Sequence, residues 1–360
     1  PWNPKTTTLV PRANMRILQA IAGRPQGGAE NFFIRLAVAL NQTGVHQKIL
    51  IRHHQDRAAQ LRHAGLAPLE LRFGGVFDLH SRHHFRRVIR EYRPSIVCTW
   101  MSRATALCPP GSSGHPFIHV GRLGGYYNLK YYRHCDHLVG NTQDIVDYIL
   151  GEGWPRDRVH YLPNFVDATP GKEIPRSQFG ISPDKTILLA LGRLHENKAM
   201  DIAISALPAL PDCHLLIAGE GPLRETLVRQ VHDLGLENRV SFLGWRDDTA
   251  DLLATCDIFL CPSRHEPLGN VILEAFAQSK PVIAAASTGP ASLINHGENG
   301  MLFSIDDKDA LAQSINRMRQ EPDFKRSFGS AGHASYRAQF TQKVVLRQWL
   351  EFFSAITVKG

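Results

Sequence analysis

Long apolar runs are missing from this sequence: none reaches the roughly 18 residues needed to cross a membrane. No secretory signal pattern stands at its start, so a cytoplasmic protein is expected. Cysteine is sparse. Cys98, Cys108, Cys135, Cys213, Cys256 and Cys261 form no C-x-x-C pair and join no His/Cys cluster with metal-ligand spacing. That excludes a disulfide scaffold and a zinc module, and leaves reduced thiols as the expectation. No obligatory metal is expected. There is also no G-x-G-x-x-G, which counts against a nicotinamide-dependent enzyme. The chain lacks an interleaved nucleic-acid recognition motif despite its net charge of +8, and no nucleic-acid partner is expected.

What remains is a globular composition, 43% hydrophobic and 21% charged, on a chain of 360 residues, too long for one ordinary core. Residues 1–14 contain "TTTLVPRAN", which reads as a protease-cleavage linker added for expression or as a native disordered arm. From Met15 strand-like runs alternate with helical ones: "RILQAIA", a Gly-rich turn "GRPQGGAE", the helix "NFFIRLAVALNQTG", then "HQKILIRH", "SIVCTW" and "HPFIHVG". The alternation restarts at Lys185 with "TILLALG", "HLLIAG", "VSFLG", "DIFLCP" and "PVIAAA". Such alternation implies parallel βαβ units. The expected fold class is α/β, two Rossmann-like doubly wound domains facing a cleft. The expected boundaries are 15–168 and 169–340, with an amphipathic C-terminal helix, 341–360, packing back on the first domain.

Charge is unevenly divided. Residues 1–168 carry 21 Lys and Arg against 11 Asp and Glu, a surplus of ten, while the remainder carries 20 against 22. A basic half and a nearly neutral half suggest different partners.

In open α/β sheets ligands sit beyond the carboxyl ends of strands. That rule selects "GRPQGGAE", "GRLHENKAM", "GEGP" and "SRHEPLGN". Arg193 and Lys198, between a buried strand and a helix, form a candidate phosphate trap, though a solvated basic loop would read the same way. Gly27 and Gly28 allow close backbone approach to an anion, or only a tight turn. Gly269 and Asn270 open the helix "NVILEAFA", whose apolar run carries one acidic side chain, Glu274. A carboxylate buried there needs hydrogen-bond donors, which the hydroxyls of a ribose would supply. Glu266, at the loop mouth, is placed for a sugar hydroxyl. Together these residues describe a nucleotide-sugar site.

The stretches "GRLHENKAMD", "LLIAGEGPLRETL", "VSFLGWRDD", "DIFLCPSRHEPLGNVILEAFAQSKPVIAA" and "HGENGMLF", in that order, resemble the retaining glycosyltransferases of family 4, with GT-B architecture. The resemblance implies that Arg193, Lys198 and Glu266 carry the chemistry. It further implies that Gly27, Gly28, Gly192, Gly221, Trp245, Arg246, Pro267, Leu268, Gly269, Asn270, Val271 and Glu274 line the donor site. The donor would be a UDP- or GDP-linked sugar bound as substrate, with no further cofactor. Many members carry a histidine after the fourth strand of the first domain, and here that loop reads "CTWMSRATA" without one. Ser102, Arg103, His119, Arg122 and Tyr126 are the acceptor-side candidates, with His119 equally readable as a packed core side chain.

The overall style resembles bacterial enzymes that build lipopolysaccharide core or envelope glycans, so a glycan or glycolipid acceptor is expected. Arg82, Arg86, Arg90 and Arg93 recur at helical spacing in "LHSRHHFRRVIREYRP", a face suited to an anionic membrane surface or to solvent alone. An epimerase or sugar-nucleotide hydrolase of the same architecture is the competing reading.

Overall fold

Each strand-like run hands over to a helix, and the chain accordingly winds two all-parallel sheets. The computed structural model describes residues 15–24, 27–75, 78–111, 115–166 and 169–358. The expected arm, residues 1–14, and the expected boundary at 168 lie outside these residues. The chain divides into one unit of residues 1–164 and 342–360 and a second of residues 165–341.

The first unit runs β1 (Arg16–Ile21), α1 (Gly28–Gln42), β2 (His46–Arg52), α2 (Gln55–His63), β3 (Pro68–Leu71) and α3 (Leu79–Tyr92). It continues with β4 (Ile96–Trp100), α4 (Met101–Leu107), β5 (Ile118–Leu123), β6 (His137–Gly140), α5 (Gln143–Gly151) and β7 (Val159–Tyr161). Its sheet has the order β3-β2-β1-β4-β5-β6-β7. In sequence only β1, β2, β4 and β5 stand out. The runs "PLEL", "HLVG" and "VHY" are three or four residues long and carry no periodicity of their own.

The second unit runs β8 (Thr186–Leu191), α6 (Met200–Ala206), β9 (Cys213–Ala218), α7 (Arg224–Asp233), β10 (Val240–Gly244) and α8 (Thr249–Thr255). Then come β11 (Ile258–Cys261), α9 (Asn270–Ala277), β12 (Val282–Ala285), α10 (Thr288–Leu293), β13 (Met301–Phe303), α11 (Lys308–Gln320) and α12 (Pro322–Gln339). Its sheet has the order β10-β9-β8-β11-β12-β13. Pleating sends Ile187, Leu189 and Leu191 of β8 into one core and Leu188 and Ala190 into another. Both faces are therefore covered, which is why these strands read as unbroken apolar runs.

In both sheets the strand order reverses beside the first strand: β1 pairs with β2 and β4, and β8 pairs with β9 and β11. These are topological switch points, where neighbouring loops diverge and leave a crevice at the strands' carboxyl ends.

The last helix, α13 (Gln342–Val358), belongs to the first unit and packs on α1. Trp349 is fully buried and stacks on Trp100 at a centroid distance of 6.3 Å and 17°. Phe353 is buried beside it, and Phe352 packs against His137 and His160 of β6 and β7. Truncating Trp349 to Ala should cost about 3–5 kcal/mol, the usual loss for a large aromatic in a core. Trp349→Phe should cost clearly less, because the indole Nε1 is buried without a hydrogen-bond partner and its removal orphans nothing. Urea unfolding of the two variants checks the ranking. Equal midpoints for Trp349→Ala and wild type would contradict the packing role.

Candidate functional site

The second unit's switch point brings together the loops that leave β8 and β11. β8 ends at Leu191, Gly192 and the exposed Arg193 follow, and a short 3-10 turn spans Glu196–Lys198. β11 ends at Cys261 and leads through residues 262–269 into α9. The two loops are stitched by the His265 amide donating to the Asn197 carbonyl at 3.2 Å. At this seam the Lys198 ammonium donates directly to the Glu266 carboxylate. The pair is mostly enclosed, with side-chain exposures of 23% and 11%. Burial alone would pull the Lys198 pKa down, but the Glu266 charge and hydrogen bond, with the nearby Cys261, together prevail and raise it above 10.5. Cys261, buried behind the pair, is pushed up to about 11 by burial and then by the Glu266 charge, so it stays a thiol.

Glu266 is held from its other side too, its carbonyl accepting the Gly289 amide of α10 at 2.8 Å. Pro267 is half-buried and Leu268 buried, so the loop beyond Glu266 is part of the packed body. Gly269 precedes α9 in the left-handed region, at φ 82°, a turn that any Cβ would strain. It offers no side chain to cap the amides of Asn270 and Val271.

Glu274 differs from expectation. It is half-exposed rather than buried, because α9 buries Ile272, Leu273, Ala275, Phe276 and Ala277 and leaves open the stripe Asn270, Glu274 and Gln278. The four-residue spacing of that stripe explains how one carboxylate survives in an apolar helix. Gln278, at its far end, donates to the Thr169 carbonyl and accepts from the Gly171 amide.

The loop after β9 joins the same group, since the Leu194 amide donates to the Glu220 carbonyl at 3.0 Å, next to Gly221. After β10, Trp245 is 69% exposed, a bare aromatic surface. Arg246 is engaged by Asp248 through both Nε and Nη2, which leaves Trp245 as the flat contact in that loop.

In the first unit Gly27 precedes α1, and Gly28 opens it. The residue that shapes this turn escaped the sequence reading. Glu30 is buried in the first turn of α1 and accepts the Arg24 amide at 2.7 Å. A Cβ on Gly27 would lie 2.3 Å from the Glu30 carboxylate, which would have to move to admit one. Arg57, also buried, donates to the Arg24 carbonyl at 2.5 Å and fixes the turn's other side. An acidic residue in a helix's first turn was the available signal.

Two acceptor-side expectations require correction. His119 is a core side chain, 2.9 Å from the Thr99 hydroxyl, and burial lowers its pKa to about 4, so it is neutral at physiological pH. Arg122 is buried as well. Its guanidinium lies 4.6 Å from the Trp100 ring and 5.2 Å from the Phe32 ring, and donates to Asn164 Oδ1 at 2.5 Å. Three positions apart on β5, they point to opposite faces of the sheet, and both faces are buried. Ser102 is half-buried and Arg103 exposed at the start of α4, just after Met101 in the left-handed region at φ 66°. Tyr126 is 45% exposed and packs edge-on against Tyr148.

Comparison with known proteins follows this geometry. Residues 171–334 match the glycosyl transferases group 1, and residues 26–169 match glycosyltransferase family 4. LpsE of Rhizobium meliloti (strain 1021), a lipopolysaccharide core biosynthesis glycosyltransferase, is 32% identical over 337 residues, 91% of this chain and 96% of the relative. LpsD of the same organism, named for the same process, is 31% identical over 335 residues, 91% and 95% of the two chains. The structure of Anabaena Alr3699/HepE in complex with UDP is similar at a TM-score of 0.84 and 23% identity, covering 95% of this chain and 100% of that one. The fold is thus the pair of Rossmann-like domains of the GT-B class.

The Lys198–Glu266 contact makes a measurable prediction. Removing one partner strands a mostly enclosed charge, whereas removing both does not. The double variant Lys198→Met/Glu266→Gln should be destabilised less than the sum of the two single variants, with a coupling of roughly 1–3 kcal/mol. Because the folded Lys198 pKa is raised, the coupling is fully present below pH 10.5 and is lost only as pH climbs through the raised value. A double-mutant cycle near neutral pH with no coupling would remove the pair from the account.

Proposed function

The chain belongs to the family 4, group 1 glycosyltransferases, and from that membership we propose a retaining transfer of a sugar from a nucleotide-sugar donor to an envelope glycolipid. The observation that carries the donor assignment is the Lys198–Glu266 contact at the β8–β11 switch point. Lys198 has three ammonium N–H groups, so it can keep Glu266 and still donate to a phosphate. Exposed Arg193 supplies the second cation, and the start of α9, where Gly269 contributes no side chain, brings backbone amides to a diphosphate. Glu266 then faces the transferring sugar, Glu274 the ribose, and Trp245 the base. Gly192, Gly221, Pro267 and Leu268 shape the walls. In the first unit Gly27 and Gly28 remain the candidate anion-binding turn, and Ser102, Arg103 and Tyr126 the acceptor-side candidates. The UDP complex of the Anabaena protein supports a UDP-linked donor.

Retention by a double displacement needs a carboxylate nucleophile beneath the sugar. The proposed route needs none. The acceptor hydroxyl adds on the face that the diphosphate leaves, and the departing phosphate oxygen takes its proton. Stabilising charge on that leaving group is then the main catalytic term. Arg193→Ala together with Lys198→Ala should lower turnover much more than it weakens binding of the nucleoside alone. Incorporation of label from a UDP-sugar into a lipid-linked acceptor is the assay. Full activity in the double variant would end the phosphate reading, and release of free sugar without a new glycoside would replace transfer with hydrolysis.

The names of LpsE and LpsD support a lipopolysaccharide-core acceptor and hence work at the inner face of the cytoplasmic membrane. Among the described residues no helix is long and apolar enough to cross a membrane. Peripheral contact would fall to α3, whose Arg86 and Arg90 are exposed, with Arg93 at its C-cap, while Arg82 is half-buried. Asp78 caps this helix: burial pushes its carboxyl up, but hydrogen bonds from Ser81 and Gly74 prevail and hold its pKa at about 2. Each such cation is worth about 1 kcal/mol at an anionic surface and is screened by salt. Changing Arg86 and Arg90 to Glu should reduce co-sedimentation with anionic vesicles, high salt should mimic the change, and UDP affinity should stay constant. A wild-type protein that ignores anionic vesicles at low salt would return α3 to solvent.

A further inference from the structure

Arg264 stands two residues before Glu266, in the loop leaving β11, and its guanidinium binds three other segments. Nη1 donates to the Glu196 carbonyl at 2.9 Å, in the turn that ends at Lys198. Nη1 and Nη2 engage both oxygens of Asp201, in the first turn of α6, at 3.0 and 2.6 Å. Nε donates to Asp306 at 2.6 Å, from the loop between β13 and α11, where Asp306 takes the left-handed conformation at φ 65°. All these contacts lie within the second unit.

We propose that Arg264 is the positioning residue of the donor site, fixing the turn that carries Lys198 against the loop that carries Glu266. It also neutralises two carboxylates that would otherwise oppose the donor's diphosphate. The proposal rests on the reading of Arg193 and Lys198 as phosphate ligands.

The geometry suits arginine alone. A planar fork can hold one carboxylate bidentately and present its Nε edge to a second, whereas an ammonium is a single point charge with no fixed plane. Two carboxylates already surround the guanidinium, so its charge is spent locally and it is not itself a phosphate ligand. The two acids are the informative part. Asp201 begins the helix that follows Lys198 by two residues, and a bare carboxylate there would repel an anion arriving at Lys198. A helix start followed by an acid normally excludes anions from its own amides. Here Arg264 cancels that acid while using it as an anchor.

A clamp of purely structural value would lower stability without touching donor affinity, and the test separates the two. Arg264→Met, Arg264→Lys and the double variant Arg264→Met/Asp201→Asn are compared with wild type in thermal stability, UDP affinity by calorimetry, and the KM and kcat for the nucleotide sugar. In Arg264→Met, UDP affinity should fall and kcat/KM should drop at least about tenfold, as expected when a reacting group is displaced by a fraction of an ångström. Arg264→Lys keeps the charge and should recover UDP affinity more than kcat. The double variant removes the stranded carboxylate next to Lys198, leaving Asp306, and should regain part of the UDP affinity lost in Arg264→Met, which no loss of packing would produce. Unchanged UDP affinity and kcat/KM in a folded Arg264→Met overturns the proposal. So does a loss that tracks melting temperature alone and is not relieved in the double variant. A wild-type protein that binds neither UDP nor GDP overturns the donor-site reading itself, and that outcome is visible before any variant is made.

Discussion

A lysine and a glutamate enclosed together, Lys198 with Glu266, set the main constraint on the second domain. Neither charge could stand in that seam alone, since desolvation would neutralise it or drive it out to solvent. Their coexistence requires two loops from different strands to meet in one register. β8 and β11 are neighbours in the sheet although β9 and β10 intervene in sequence, and only the reversal of strand order permits that. The surrounding hydrogen bonds then have a common purpose. The His265 amide, the Gly289 amide and the Arg264 fork all hold the loop after β11 in place from outside the pair. Rigidity in a loop, otherwise the mobile part of an α/β protein, comes here from its being tied at three points.

The sequence exposed the loops well and their interior poorly. Gly192, Arg193, Lys198, Glu266 and Gly269 lie at strand ends where the positional rule for open sheets points, so their grouping could be reasoned without coordinates. Arg264 could not be found in that way. Its acidic partners lie 63 and 42 positions away, and nothing in "SRHEPLGN" says that its arginine is spoken for. Arg246 and Asp248, two residues apart, show the opposite case, a pair close enough to be read locally.

Burial was the other quantity that local pattern misjudged. Glu274 was taken as enclosed because its helix is apolar, but a helix has a circumference, and the positions four apart leave one side open. His119 and Arg122 erred in the other direction. Polar side chains beyond a strand suggest a site, yet the aromatic rings of Trp100 and Phe32 accept a guanidinium face, and a neutral imidazole needs only a hydroxyl partner. The short strands β3, β6, β7 and β13 owe their existence to neighbours already in the sheet rather than to their own sequence.

The placement of α13 has a consequence for biosynthesis. Because the chain returns to its first domain only at Gln342, the second domain is an insertion within the first, complete in sequence before the first is complete. On the ribosome all 177 residues of the second domain are made before Gln342, so the Trp100 face waits on the order of ten seconds or more at ordinary elongation rates for Trp349 to cover it. During that interval the nascent first domain lacks the ring that the finished protein stacks on the Trp100 indole. The domain synthesised first is therefore the domain finished last, and it is the one for which a chaperone's attention during translation matters.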